Sequence, residues 1–403
     1  MRYALVVVAA CSSASSAPPP PAVTLAPGPV VAHTPPPVVR VGDDQVTGRV
    51  IAARIVAAVG DAAATDQPTY ARAGEPITLF AALDVQQAGK VSVYSDVPAL
   101  RLGAHEVKVQ PITTGPLVEL HWNKIEPATA ELSNGDGDDF HFAEIDYRAT
   151  PIETAGGKPA IAADVHPTLT PDHGNGIGTM RYQLVVLQGD RVIASPGPEA
   201  RRGKASGGLR DTVMRVSIRR DDTYLGFLTE MYNQPYIWAS AGFTDATHQS
   251  ERLEGSDCAD FIVYGARRMG AKISYTYTGG LPRITKLLAA GTRRAGGVYR
   301  DAHGQPIAFT RPGDLVLFPR HVGALAADRG TIGVLDEQDL VMHTLWDSPK
   351  EQAIADTGYA DQPVELRRFI PQEFPRAGES PGPSPAISSS PSPSVRPDLH
   401  RDR

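Results

Sequence analysis

Proline runs at both ends confine where this chain can build a core. Residues 18–21 and 35–37 are uninterrupted proline, and Ser-Pro repeats fill the stretch after Pro375. Proline fixes its own φ and has no N–H to donate, so such tracts stay extended and bury nothing. Residues 11–44 therefore read as a Pro/Ala-rich linker and residues 375–403 as a disordered Pro/Ser-rich tail. The stretch between them is long enough for two domains with real cores. A net charge of −6 argues against nucleic acid as a partner, because binding to phosphate backbones needs clustered lysine and arginine. No apolar run approaches the roughly 20 residues of a membrane-spanning helix. Gly378-Glu379-Ser380-Pro381-Gly382 has the G-x-S-x-G form of a serine-hydrolase elbow, but the tail offers neither the strand nor the helix that such an elbow joins.

Residues 1–10 carry one arginine and then a short apolar run ending in small residues, the pattern of an export signal. Val8-Ala9-Ala10-Cys11 resembles the bacterial lipobox. The resemblance implies a lipoprotein whose signal peptide ends at residue 10 and whose Cys11 takes the lipid. Ser12 in place of aspartate after that cysteine implies an outer-membrane location facing the periplasm. The chain's two cysteines, Cys11 and Cys258, are too far apart for a C-x-x-C metal or redox motif, so each is expected to act alone.

Residues 45–219 read as an all-β, sandwich-like domain, built from short alternating runs at 77–80, 90–94, 118–122, 141–145 and 180–187. Gly189-Asp190 suits a two-residue hairpin turn into residues 192–194. Three groups here have blander readings than functional ones. Asn134-Gly135-Asp136-Gly137-Asp138-Asp139 has oxygen donors at alternate positions, but Asp139 and Ile145 stand where a calcium loop needs glycine and glutamate. It reads as a polar turn. His166 and His173 are too irregularly spaced for zinc and read as surface histidines. Gly174-Asn175-Gly176-Ile177-Gly178 runs into a strand-like segment, which provides no helix start for a phosphate.

The pattern changes at residue 220. Tyr224, Leu225, Leu228, Met231 and Tyr232 recur at helical spacing behind Asp222, an expected N-cap. A second helix is expected from Asp257, with Asp260 completing a capping pair, Arg267 and Arg268 at the negative end of the dipole and Gly270 as a left-handed stop. Cys258 then stands in its first turn. Unpaired backbone N–H groups there favour a thiolate nucleophile, while Asp257 and Asp260 oppose it, so an imidazole partner is expected. His321 and His343 stand on runs that read as adjacent strands. Period-two alternation puts His321 with Gly323 and Leu325, and His343 with Val341 and Leu345, so antiparallel pairing would bring the two rings together. His248 and His303 read as solvated loop histidines.

The order Tyr236-Ile237-Trp238, Asp257-Cys258-Ala259-Asp260-Phe261, Arg311-Pro312-Gly313-Asp314-Leu315-Val316, His321-Val322-Gly323, His343-Thr344 resembles the NlpC family of bacterial cell-wall peptidases. The resemblance covers about residues 220–370. It implies an α+β fold overall, with a papain-like NlpC-type domain over residues 220–374 in which helices pack on an antiparallel sheet. It also implies a role for each matching residue: Cys258 the nucleophile, His321 the general base, His343 the residue that orients it, and Tyr236 with Trp238 at the substrate. Ala259-Asp260 and Ala239-Ser240 depart from the family's small pairs Ser-Gly and Gly-Gly, which implies an altered cleft. Residues 272–310 read as an enlarged insertion or lid. The resulting expectation is a lipid-anchored cysteine peptidase that hydrolyses amide bonds in peptidoglycan stem peptides, with no metal or cofactor. The alternatives are an acyltransferase or amidohydrolase on another substrate, which uses the same residues, and an inactive envelope-binding protein.

Overall fold

The computed structural model of the chain describes residues 39–135, 141–203 and 207–370. Cys11, the export signal, most of the Pro/Ala-rich linker, Asp136, Asp138, Asp139 and the tail with its G-x-S-x-G motif lie outside the described residues. So do the linker's proline runs.

Strand-forming sequence dominates what is described. Ile77–Gln87 alternates buried and half-buried side chains through Ile77, Leu79, Ala81 and Leu83, the mark of a strand with one face on a core. It is the centre of an eight-stranded sheet, between Arg49–Val59 and Lys90–Tyr94. A seven-stranded sheet has Val118–Pro127, Gly178–Gln188 and Met214–Arg219 as antiparallel neighbours. Both sheets contribute to one buried cluster, Val50, Ile55, Leu79 and Leu83 from the first and Leu120, Trp122, Tyr182 and Val216 from the second. Each fully buried side chain of this size contributes about 1.5–3 kcal/mol. Gln188 pairs with Arg191 across Gly189 and Asp190, and Gly189 takes a φ of 61° that suits glycine. Residues 141–145, expected to be a strand, join no ladder, and the paired strand starts at Tyr147.

A second seven-stranded sheet carries the residues of interest. Its order is Tyr299–Arg300, Thr285–Arg293, Val364–Phe369, Leu315–Leu317, Val322–Ala327, Leu340–His343, Lys350–Ala353. Both faces are covered, as period-two alternation shows. Leu315, Val322, Ala324 and Met342 pack with Phe261 and Ile262 of the helix Cys258–Arg268. Val316, Leu325, Val341 and Leu366 pack on the other side with Tyr299, Ile307 and Ile354.

The expected α+β architecture, a sandwich-like β domain followed by a papain-like layer of helices on a sheet, is corrected by this picture. The described residues are 41% strand and 12% helix, with several large, curling sheets. The physical reason lies in the runs themselves. The helix behind residue 222 stops after Tyr224–Leu228 and is capped by Thr223, not Asp222. Residues 285–293, inside the expected insertion, form a strand that pairs with Val364–Phe369. Among the described residues only Cys258–Arg268 exceeds two turns, which is too little helix to make a layer. Among the described residues no helix is long and apolar enough to cross a membrane.

Candidate functional site

Asp257 opens the helix Cys258–Arg268 with its side chain accepting from the N–H groups of Ala259 and Asp260, both at 2.9 Å. Such a cap contributes about 1 kcal/mol. The helix ends in a double return: Gly270, at φ 93°, donates to the Arg267 carbonyl and Ala271 to that of Ala266. Asp260 does not complete a capping pair. The Asp257 N–H is met instead by Ser240 Oγ at 2.9 Å, and that hydroxyl also bonds Asp260 Oδ2 at 2.6 Å. Behind the helix start His248 is buried, with Nε2 3.4 Å from Asp260 Oδ2 and its ring stacked on Tyr275 at 3.8 Å. The expected solvated His248 is thus part of the interior, and burial pushes it down to about 4. His303 is exposed.

Cys258 is buried and free. Its thiol is pushed up, by burial first and then by the Asp257 carboxylate, although the N–H groups of Val322 and of Cys258 itself favour the thiolate. The direction reverses the expectation from helix position alone. A dipole end contributes about 0.3–1 kcal/mol at exposed sites, less than the several kcal/mol that burying a charge costs. At neutral pH Cys258 is therefore a thiol. Asp257→Asn keeps an N-cap oxygen and removes the charge, so iodoacetamide should modify Cys258 faster at pH 8, by up to about tenfold for each unit the thiol falls. An unchanged alkylation rate would show that Asp257 does not act on the sulfur.

His321 ends the tight connection after Leu315–Leu317, where Phe318 N–H bonds the His321 carbonyl at 2.8 Å. The strand that follows runs antiparallel to Leu340–His343, with Ala324 opposite Met342. Gly323 makes the close approach possible, since a Cβ there would lie 3.3 Å from that of His343. His321 Nε2 and His343 Nδ1 stand 2.7 Å apart, both rings fully enclosed. His321 Nδ1 and His343 Nε2 have no partner. Burial, with His343 beside it, holds His321 well below its ordinary value, and burial brings His343 down to about 4. Both imidazoles are neutral at pH 7. One tautomer set satisfies the pair and leaves a base free: His321 carries its proton on Nε2 and donates it to His343 Nδ1.

Cys258 belongs to the cluster on the helix side of the sheet, and the two histidines stand at strands whose alternation turns them to the other face. Met342 packs with the helix that bears Cys258, so alternation turns His343 to the other side, and His321 precedes its strand. The Val322 N–H, one residue after His321, is what the sulfur finds at the strand's end. No hydrogen bond joins Sγ to either imidazole. Tyr236, buried, has its phenol raised by burial first and then by Cys258. It thus keeps its proton as a donor near the sulfur. Its strand, Tyr236–Trp238, pairs in parallel with Glu131–Ser133, so residues of the β-rich segment hold it in place. Trp238 is 49% exposed, and Trp346, 56% exposed, sets its ring edge against Tyr236 at 5.1 Å.

Two residues of the site gave no signal in the sequence. Tyr359 stacks on His321 with ring centres 4.9 Å apart, and nothing about a tyrosine in a loop marks it beforehand. His173, expected at the surface, bonds Asp347 at 2.8 Å and is half-buried there. Asp347 also takes Lys350 Nζ at 2.8 Å, so this pair braces the turn after His343. His166 remains half-exposed beside Asp164. Among the described residues no group of three His, Cys, Asp or Glu side chains could hold a metal ion. Compared with protein-family models, with curated proteins and with solved structures, the chain finds no match.

Proposed function

We propose that the chain is a cysteine-dependent amide hydrolase acting on peptidoglycan stem peptides. The observation that carries the reading is the buried histidine pair: Nε2 of His321 is held by His343 at 2.7 Å while its Nδ1 is left without a partner, one residue from the N–H that meets the sulfur of Cys258. A base with one nitrogen fixed and the other free, together with a thiol at a helix start, supplies the groups nucleophilic acyl chemistry needs. The substrate class rests on the NlpC-like order of motifs around Tyr236, Cys258, His321 and His343. A lipid on Cys11 would hold the enzyme in the envelope, at the outer membrane.

The steps balance with these residues alone. His321 Nδ1 takes the thiol proton as Sγ bonds the amide carbon, and the backbone N–H of Cys258 is positioned at the helix start to meet the oxyanion. The C–N bond breaks as His321 returns the proton to the leaving amine. Water then attacks the thioester as His321 accepts its proton, the C–S bond breaks, and His321 returns the proton to the leaving sulfur, which frees the acid and restores the thiol. Catalytic hydrogen bonds often tighten only once substrate is bound, and this mechanism requires Sγ and Nδ1 to close to bonding distance at that point.

The test is to incubate the full chain with purified peptidoglycan and identify released fragments by mass spectrometry. New amine and carboxyl termini in stem peptides, absent with Cys258→Ala, are the expected result. Wall fragments that stay intact, or cleavage that survives the alanine variant, would refute the reading.

A further inference from the structure

Ile354–Thr357 forms a single tight turn, and Gly358 then takes a φ of 77°, which reverses the chain and aims Tyr359 back at the sheet. Tyr359 N–H bonds Thr357 Oγ1 at 3.2 Å and its carbonyl accepts from Gln362 at 2.9 Å, so the backbone on both sides of the ring is held. The ring lies on His321 at 4.9 Å with planes 30° apart, and Phe318 completes the enclosure at 5.7 Å from Tyr359 and 6.2 Å from His321. His343 meets the same imidazole edge-on at 4.8 Å. One nitrogen of His321 is therefore fixed by His343, and the tilt of its plane is fixed by Tyr359.

Resting on the hydrolase reading, we infer that Tyr359 is a positioning residue for His321, whose ring face holds the imidazole in the plane from which its free Nδ1 addresses the substrate-bound sulfur. An imidazole held by a single hydrogen bond can still rotate about that bond, and a flat aromatic neighbour removes the rotation at little entropic cost because tyrosine has two side-chain torsions. The phenol is also in the field of the sulfur, which with burial raises its pKa.

The variants that separate ring from hydroxyl are Tyr359→Phe and Tyr359→Leu. With a stem peptide as substrate, Tyr359→Leu is expected to lower kcat about tenfold or more with KM unchanged, and Tyr359→Phe to stay within about threefold of the unmutated chain, since misplacing a reacting group by about 1 Å can cost a hundredfold. Nitrogen-15 spectra of labelled histidine at pH 7 give a readout that needs no turnover. The unmutated chain and Tyr359→Phe should show His321 as one tautomer with Nδ1 unprotonated, and Tyr359→Leu an averaged mixture. A leucine variant that keeps both kcat and the single tautomer would overturn the inference. A mixed tautomer in a chain that cleaves no stem peptide would support the positioning role of Tyr359 and remove the hydrolase reading instead.

Discussion

His321→Ala is expected to lower kcat/KM on a stem peptide by about a hundred- to ten-thousand-fold, the contribution of a positioned general base, and His343→Ala by less, because the base itself remains. The histidine pair predicts the pH profile as well. Both imidazoles lie below their ordinary value in the folded chain, His343 at about 4. The neutral base therefore survives as pH falls through 6.5 and is lost only well below it. Protons bind the unfolded histidines first, so acidification from about 6.5 toward 4 favours the unfolded chain through these groups. On the other side the thiol is pushed up, so thiol and neutral imidazole keep one protonation state through the neutral range and kcat/KM should be flat there. An acid limb at the ordinary histidine value, or an alanine variant at position 321 with unimpaired turnover, would remove His321 from the mechanism. Circular dichroism at the assay temperature checks that each variant is folded.

Local rules read most of the site's scaffold from the sequence, and long-range packing set the rest. Asp257 and Gly270 mark the helix ends because capping depends on a few neighbouring residues. The meeting of His321 and His343 follows from period-two alternation once the two strands pair. What alternation could not supply was the position of Tyr359, more than a hundred residues from Cys258 in the chain, or the brace between His173 and Asp347. The sign of the Cys258 shift was missed for a related reason. A helix start is visible in sequence, but the burial that outweighs it comes from a cluster that gathers side chains from four strands. Thr223 took the cap expected of Asp222 because Asp221 and Asp222 have other partners: Asp221 Oδ1 accepts from the Thr223 N–H at 2.8 Å and Asp222 from Arg219 at 2.7 Å. The strand Thr285–Arg293 was hidden by its polar and small residues, all but Thr285 at least partly exposed, so its pairing with Val364–Phe369 decides its conformation.

Glu230→Ala is expected to destabilise the folded chain by about 3–5 kcal/mol, the cost of leaving a buried charge without its partner. Glu230 has no exposed surface. Its Oε1 accepts from Arg268 Nη2 at 2.9 Å and its Oε2 from Arg268 Nε at 2.8 Å, a two-bond pairing that Arg219 approaches at 3.6 Å. The Tyr264 hydroxyl donates to Oε2 as well. Arg268 lies over the rings of Tyr70 and Phe227, at 4.9 and 5.1 Å. The carboxylate thus ties the last turn of the helix that begins with Cys258 to Tyr70 of the β-rich segment, so its loss should be felt at both ends of that helix. Urea unfolding followed by tryptophan fluorescence measures the change as a lower midpoint at constant slope. A double variant, Glu230→Met with Arg268→Met, should recover much of the loss, because it removes both charges and keeps the volume. If the single and double variants unfold at the same urea concentration, the pairing carries no coupling and the destabilisation comes from lost packing alone.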